Sequence, residues 1–104
     1  RYTIMKKYEL LQNDTIKMQG AKLYSIRALK DFDTIKAGDL GGYVQSESNL
    51  SQSGDCWVRE NGIACGDAFI SGNAIINNAI VGEIPTRISI IVNAIRKLIK
   101  KVFG

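Results

Sequence analysis

Between Gly54 and Val81 the chain repeats every six residues: Gly-Asp-Cys-Trp-Val-Arg, Glu-Asn-Gly-Ile-Ala-Cys, Gly-Asp-Ala-Phe-Ile-Ser and Gly-Asn-Ala-Ile-Ile-Asn. So short a period is the mark of stacked turns of chain, because each hexad holds one short strand and one bend and cannot bury its apolar face alone. Two ladders of small or aliphatic residues run through it. One comprises Cys56, Gly62, Ala68, Ala74 and Ile80, the other Val58, Ala64, Ile70 and Ile76. They predict two inward rows of a β-helix. With three hexads to a coil, residues 18 apart stack, placing Val58 over Ile76 and Trp57 over Ile75, and about two coils are available. Gly66-Asp67, Gly72-Asn73 and Asn77-Asn78 fall where the chain must bend, and Gly and Asn tolerate left-handed backbone angles there. Upstream, Val44 and Leu50 continue the first row at the same step.

Strand alternation turns the residue after each member of the first row outward, which predicts an exposed apolar row of Trp57, Ile63, Phe69, Ile75 and Val81. Contiguous apolar surface of this kind marks an interface, either with other parts of the same chain or with a second subunit. Cys56 is expected inside and Cys65 outside. Their nine-residue spacing is neither a metal knuckle nor a disulfide framework, so both are read as free thiols in a reducing compartment.

Ahead of the repeats, two alternating runs flank Gln19-Gly20, a hairpin signal, and the hairpin is expected to cover the open end of the coil stack. After the repeats the pattern changes. Ile88, Ile91, Val92, Ile95, Leu98, Ile99 and Val102 recur at helical spacing, opposite a basic face of Arg87, Arg96, Lys97, Lys100 and Lys101. An amphipathic helix from about Thr86 to Phe103 is expected, its apolar stripe joining the outward row as the candidate interface. The chain thus reads as one domain of 104 residues. Residues 5–35 form an N-terminal cap, 36–82 the β-helix repeats and 84–104 the helix. Arg1 to Ile4 precede Met5-Lys6-Lys7, which has the look of a natural start.

The formal net charge of +4 is unevenly placed. Through Glu83 there are nine basic and ten acidic residues, so the whole basic excess lies in the tail. No signal peptide opens the chain and no apolar run reaches the roughly 18 residues of a spanning helix, so a cytoplasmic protein is expected. Left-handed β-helices often serve acyltransferases or carbonic anhydrases, which use histidine as base or zinc ligand, and this sequence has none. Asp39, Glu47, Asp55, Glu60 and Asp67 form no evident pair, and Gly38-Asp39-Leu40-Gly41-Gly42 lacks the lysine of a phosphate loop. The sequence alone therefore predicts no enzyme, no cofactor and no metal site.

Leu23 to Phe32, Lys36 to Val44, Asn49-Leu50-Ser51 and Asp55 to Val58 running into Gly-Asn-Ala repeats resemble a family of small phage and prophage proteins with hexapeptide-like repeats. The resemblance covers roughly residues 7 to 82. It implies a left-handed parallel β-helix behind an N-terminal cap and a phage or prophage setting in a bacterial cell, with no catalytic residues to transfer. On this reading the chain is a non-catalytic binding or structural module, a dimer or trimer acting through protein contacts. The alternatives are a phage inhibitor of a host nucleic-acid-handling complex, of the anti-CRISPR type, and a membrane-active protein using the cationic helix. Direct nucleic-acid binding is the weakest reading, because beside those cations only Phe103 offers a ring for stacking.

Overall fold

The computed structural model describes residues 5–83. Strands β1 (Tyr8–Met18) and β2 (Ala21–Ala28) form the expected antiparallel hairpin. Both turn residues are left-handed, Gln19 at φ 52° and Gly20 at φ 85°. Such two-residue turns suit hairpins because their twist matches that of the strands they join. The ladder shifts register between Leu11 and Thr15, so residues 12–14 are extra on β1. One of them, Asp14, accepts a hydrogen bond from the Tyr43 hydroxyl at 2.9 Å.

Strand β3 (Leu40–Val44) is where the architecture changes. It pairs antiparallel with β2, and on its other side parallel with β5 (Ile63–Ala64), which in turn pairs parallel with β7 (Ile80–Val81). A second parallel pair joins β4 (Trp57–Val58) to β6 (Ile75–Ile76). A third contact is the parallel bridge between Leu50 and Ile70. In chain order the backbone visits these three ladders in turn and then returns to each, which is the path of a β-helix. The described chain is therefore mostly β, with parallel portions compatible with a β-helix. Its one helical turn is the 3-10 segment Glu47–Asn49.

Between the ladders lies a core of Val44, Leu50, Val58, Ala64 and Ile70, against which Ile76 and Val81 pack partly buried. Burying such side chains contributes roughly 1.5–3 kcal/mol each, so this column holds the coils together. The second inward row is as the sequence predicts. The bends follow expectation too, with Gly66 at φ 61°, Gly72 at φ 65° and Asn78 at φ 54°. One corner is tied by Asn49, which is fully buried. Its Oδ1 accepts from the amides of Gln45 and Ser46, and its Nδ2 donates to the carbonyls of Gly66 and Ala68 in the next coil.

Several expectations are corrected. Trp57 is buried, not outward. The rings of Tyr8 and Phe32 meet it edge-on, at centroid distances of 6.3 and 5.2 Å, so the cap covers this part of the row from within the chain. Cys65, expected outside, is buried beside Leu23. Val81 packs toward the core while its neighbour Ile80 is 61% exposed, the reverse of the predicted phase. The cause is coil length. Val58 and Trp57 do stack over Ile76 and Ile75, as a coil of three hexads requires. The other ladder keeps a different step: the coil from Tyr43 to Ile63 is longer than three hexads, and the coil from Ile63 to Ile80 is shorter. A strict hexad phase drifts by one position over that last coil, and a slip of one exchanges the two faces of a strand. The predicted C-terminal helix and its basic face lie outside the described residues.

The cap is fastened by polar groups as well as rings. Gln52 Oε1 accepts from the amides of Lys7 and Tyr8, and the Tyr8 hydroxyl donates to the Leu50 carbonyl at 2.5 Å. Burial, followed by the charge of Glu47 and then Cys56, pushes the Tyr8 hydroxyl well above the usual tyrosine pKa. Burial likewise raises the Cys65 thiol. A group whose folded pKa is raised holds its proton more tightly when folded, so its contribution is complete below its unfolded value. That contribution is lost as pH climbs through the folded value. Urea midpoints are therefore expected to hold up to about pH 8 and to fall progressively from about pH 9 upward, with a shallower fall above about pH 10 in Tyr8→Phe. An unchanged midpoint across that window would contradict this account.

Candidate functional site

Among the described residues, concave polar surface gathers where the cap meets the coils. A cleft of about 480 Å³ is lined by Thr34, Ile35, Asp39, Leu40, Trp57, Arg59, Glu60, Asn61 and Asn77. One wall comes from the loop leaving β2. Phe32 and Ile35 exchange backbone hydrogen bonds of 3.0 and 2.8 Å, closing a tight loop through Asp33 at φ 48°. Phe32 inserts against Trp57, which leaves Thr34 and Ile35 at the rim. Asp39 is held in place by accepting the Lys36 amide at 2.9 Å.

The other wall is the corner after β4. The Arg59 amide donates to the Ile76 carbonyl of the next coil, and the Gly62 amide donates back to the Arg59 carbonyl. Because Val58 pairs with Ile76, Asn77 lies one coil along from Arg59. The cleft therefore sets a guanidinium, two amide side chains and the carboxylates of Asp39 and Glu60 around the covered indole of Trp57. Ion pairs among the described residues join Lys6 to Glu47, Arg27 to Glu9 and Lys36 to Asp31, and they leave Arg59 and Glu60 outside. Such a site can hold a small anionic or amide-bearing ligand by charge-assisted and neutral hydrogen bonds.

The predicted interface residues do not form one row. Trp57 is the floor of the cleft and Val81 faces the core. Ile63 is half-buried beside Leu23, Met18 and Tyr43. Phe69 and Ile75 remain exposed, as does Ile80. The predicted interface and basic-face residues from Arg87 to Val102 fall outside the described residues. Sequence reasoning missed Arg59, Asn61 and Asn77, which sit at bends. Their only signal was recurrence at the hexad corner, where polar residues are expected in any case. Among the described residues no group of His, Cys, Asp and Glu side chains is placed to hold a metal ion, and no helix is long and apolar enough to cross a membrane.

No protein-family model matches the chain. It is 38% identical over 90 residues to a protein of Escherichia coli strain K12, the uncharacterized acetyltransferase YdcK. The similarity takes in 77% of this chain. It spans only 28% of YdcK. The likeness to YdcK overturns the expectation that the chain has no connection with enzymes. That expectation rested on the missing histidine, on carboxylates that form no evident pair and on the lack of a phosphate loop, and it gave too little weight to single carboxylates such as Glu60 and Asp39. YdcK brings no phage setting with it.

Proposed function

We propose that the chain is a capped segment of a left-handed parallel β-helix of the acetyltransferase type and takes part in moving an acetyl group to an acceptor from a thioester held at the Arg59–Asn77 cleft. The observation that carries this reading is the 38% identity to YdcK, on a chain whose parallel ladders follow one another as β-helix coils do. In acetyl transfer the acceptor's nitrogen or oxygen attacks the thioester carbonyl, the carbon–sulfur bond breaks and the acceptor's proton must go to a base. Of the two carboxylates in the cleft, Asp39 is already engaged by the Lys36 amide. Glu60 is therefore the proposed proton acceptor. Arg59 binds the anionic part of a ligand, and the amides of Asn61 and Asn77 orient it.

Acetyl-coenzyme A is the probe. Titration by calorimetry is expected to show saturable binding, and thiol release in the presence of a panel of amines and alcohols is expected to exceed the spontaneous rate. Arg59→Ala should weaken binding by about tenfold or more, the loss of a charged hydrogen-bonding partner being worth about 1.5–3 kcal/mol. Glu60→Gln should slow thiol release while leaving binding in place. Absence of both binding and thiol release would remove the proposal.

A further inference from the structure

Lysine is among the residues least often buried without a charged partner. Lys7 is fully buried, and the ion pairs of the described residues leave it out. Its Nζ instead donates to the carbonyls of Cys56 and Gly54, at 2.7 and 3.3 Å, and lies 5.0 Å from the centre of the Phe32 ring. The remaining neighbour is the Cys56 thiol, with Nζ and Sγ 3.3 Å apart. Cys56 is equally buried, and its Sγ points among the carbonyls of Ser51, Ser53 and Ile70, 3.6 to 3.7 Å away. Two nucleophiles far apart in the chain are thus locked side by side, with one backbone anchor of the amine on Cys56 itself. Their separation is far too long for a direct nitrogen–sulfur bond and a little longer than the span of one bridging oxygen atom.

From this pair we infer that residues 7 and 56 form an oxidative crosslink, Lys7 Nζ–O–Sγ Cys56, with a peroxide as oxidant. In the first step the sulfur attacks hydrogen peroxide, the O–O bond breaks, water leaves and Cys56 becomes a sulfenic acid. A second peroxide replaces the sulfenic hydroxyl, releasing water and giving S–O–OH. The Lys7 nitrogen, as free amine, then attacks the sulfur-bound oxygen. The O–O bond breaks, and the outer oxygen leaves as water with one amine proton. Two peroxides are consumed and three waters formed. The Lys7 amine is the nucleophile held beside the buried sulfur, which directs the oxidised sulfur toward the amine instead of a mixed disulfide. The linkage joins residues 49 apart and staples the cap to the coils, narrowing the unfolded ensemble as a disulfide does.

The test is intact-mass and peptide analysis of the full chain after dilute hydrogen peroxide. A gain of about 14 Da, one oxygen added and two hydrogens lost, is expected, with peptides containing Lys7 and Cys56 joined. Dithiothreitol should restore the mass, and the crosslinked protein should melt several degrees higher. Cys65→Ser should keep the crosslink, while Lys7→Met and Cys56→Ser should lose it. The bridge is overturned if the wild-type protein gives only oxygen additions on Cys56 without a joined peptide. A loss of about 2 Da, the signature of a direct nitrogen–sulfur bond, would also overturn it, as would the same gain in Lys7→Met.

Discussion

Replacing Gly42 by alanine is expected to prevent the chain from folding. A Cβ on Gly42 would run into the carbonyl oxygens of Gly62 and Arg59 and lie 2.9 Å from a methyl of Val58. The two oxygens belong to the backbone of the corner between β4 and β5, and that corner is held by the Arg59 and Gly62 hydrogen bonds, so no rotamer change relieves the overlap. Overpacking of flexible cores costs about 1–3 kcal/mol. Against fixed backbone, with two oxygens far inside van der Waals contact, the cost exceeds that range and approaches the whole stability of a domain this small. Gly38→Ala is the control. Its backbone is left-handed at φ 94° but nothing lies within 4 Å of the added carbon, so it should cost only the conformational penalty of about 1–2 kcal/mol. Circular dichroism melts are expected to show a modest shift for Gly38→Ala and no cooperative transition for Gly42→Ala. Equal effects from the two would refute the close-approach argument.

Trp57→Ala has the second largest expected effect. The indole is 1% exposed and makes edge-on contacts with Tyr8 and Phe32, so its removal opens a cavity between cap and coils. Truncations of this kind cost about 3–5 kcal/mol, a total that includes the two aromatic pairs lost. For a domain of this length the melting temperature should fall by more than about 12 °C. Urea unfolding followed by circular dichroism checks it, since the chain's single tryptophan cannot report on its own absence. Trp57→Phe should recover much of the loss. A variant with wild-type stability would mean that Tyr8 and Phe32 close over the space unaided.

The hairpin turn, the column from Val58 to Ile76 and the bends at Gly66, Gly72 and Asn78 were legible because each is local: a turn residue or a fixed step along the chain states its own geometry. Trp57 and Cys65 were not. Strand alternation says which side of a coil a residue leaves, but Tyr8, Phe32 and Leu23 arrive from far away in sequence to cover those sides. The phase of Ile80 and Val81 was lost because the coil from Ile63 to Ile80 falls short of the three hexads that the count supposes. Gly41-Gly42 stood out as a motif, yet its reason, the passage of β3 hard against another coil's carbonyls, exists only in three dimensions. The cleft was hidden for the same cause, since Thr34 and Asp39 meet Arg59 and Asn77 only once the coils are stacked.

The meeting of antiparallel and parallel pairing on β3 also governs the order in which the chain can be assembled. Hairpins form within microseconds, so β1 and β2 join soon after both have left the ribosome. The anchors that seat them come much later in the chain: Tyr8 waits for Leu50, 42 residues on, and Lys7 for Cys56, 49 residues on. Until β3 follows, the outer edge of β2 is an unpaired strand edge, open to pairing with any extended segment nearby. When β3 arrives it closes that edge and offers a parallel one in its place, converting a self-contained hairpin into the template that sets the register of every later coil. Newly made chains are therefore most exposed to mispairing between the appearance of Ala28 and that of Val44.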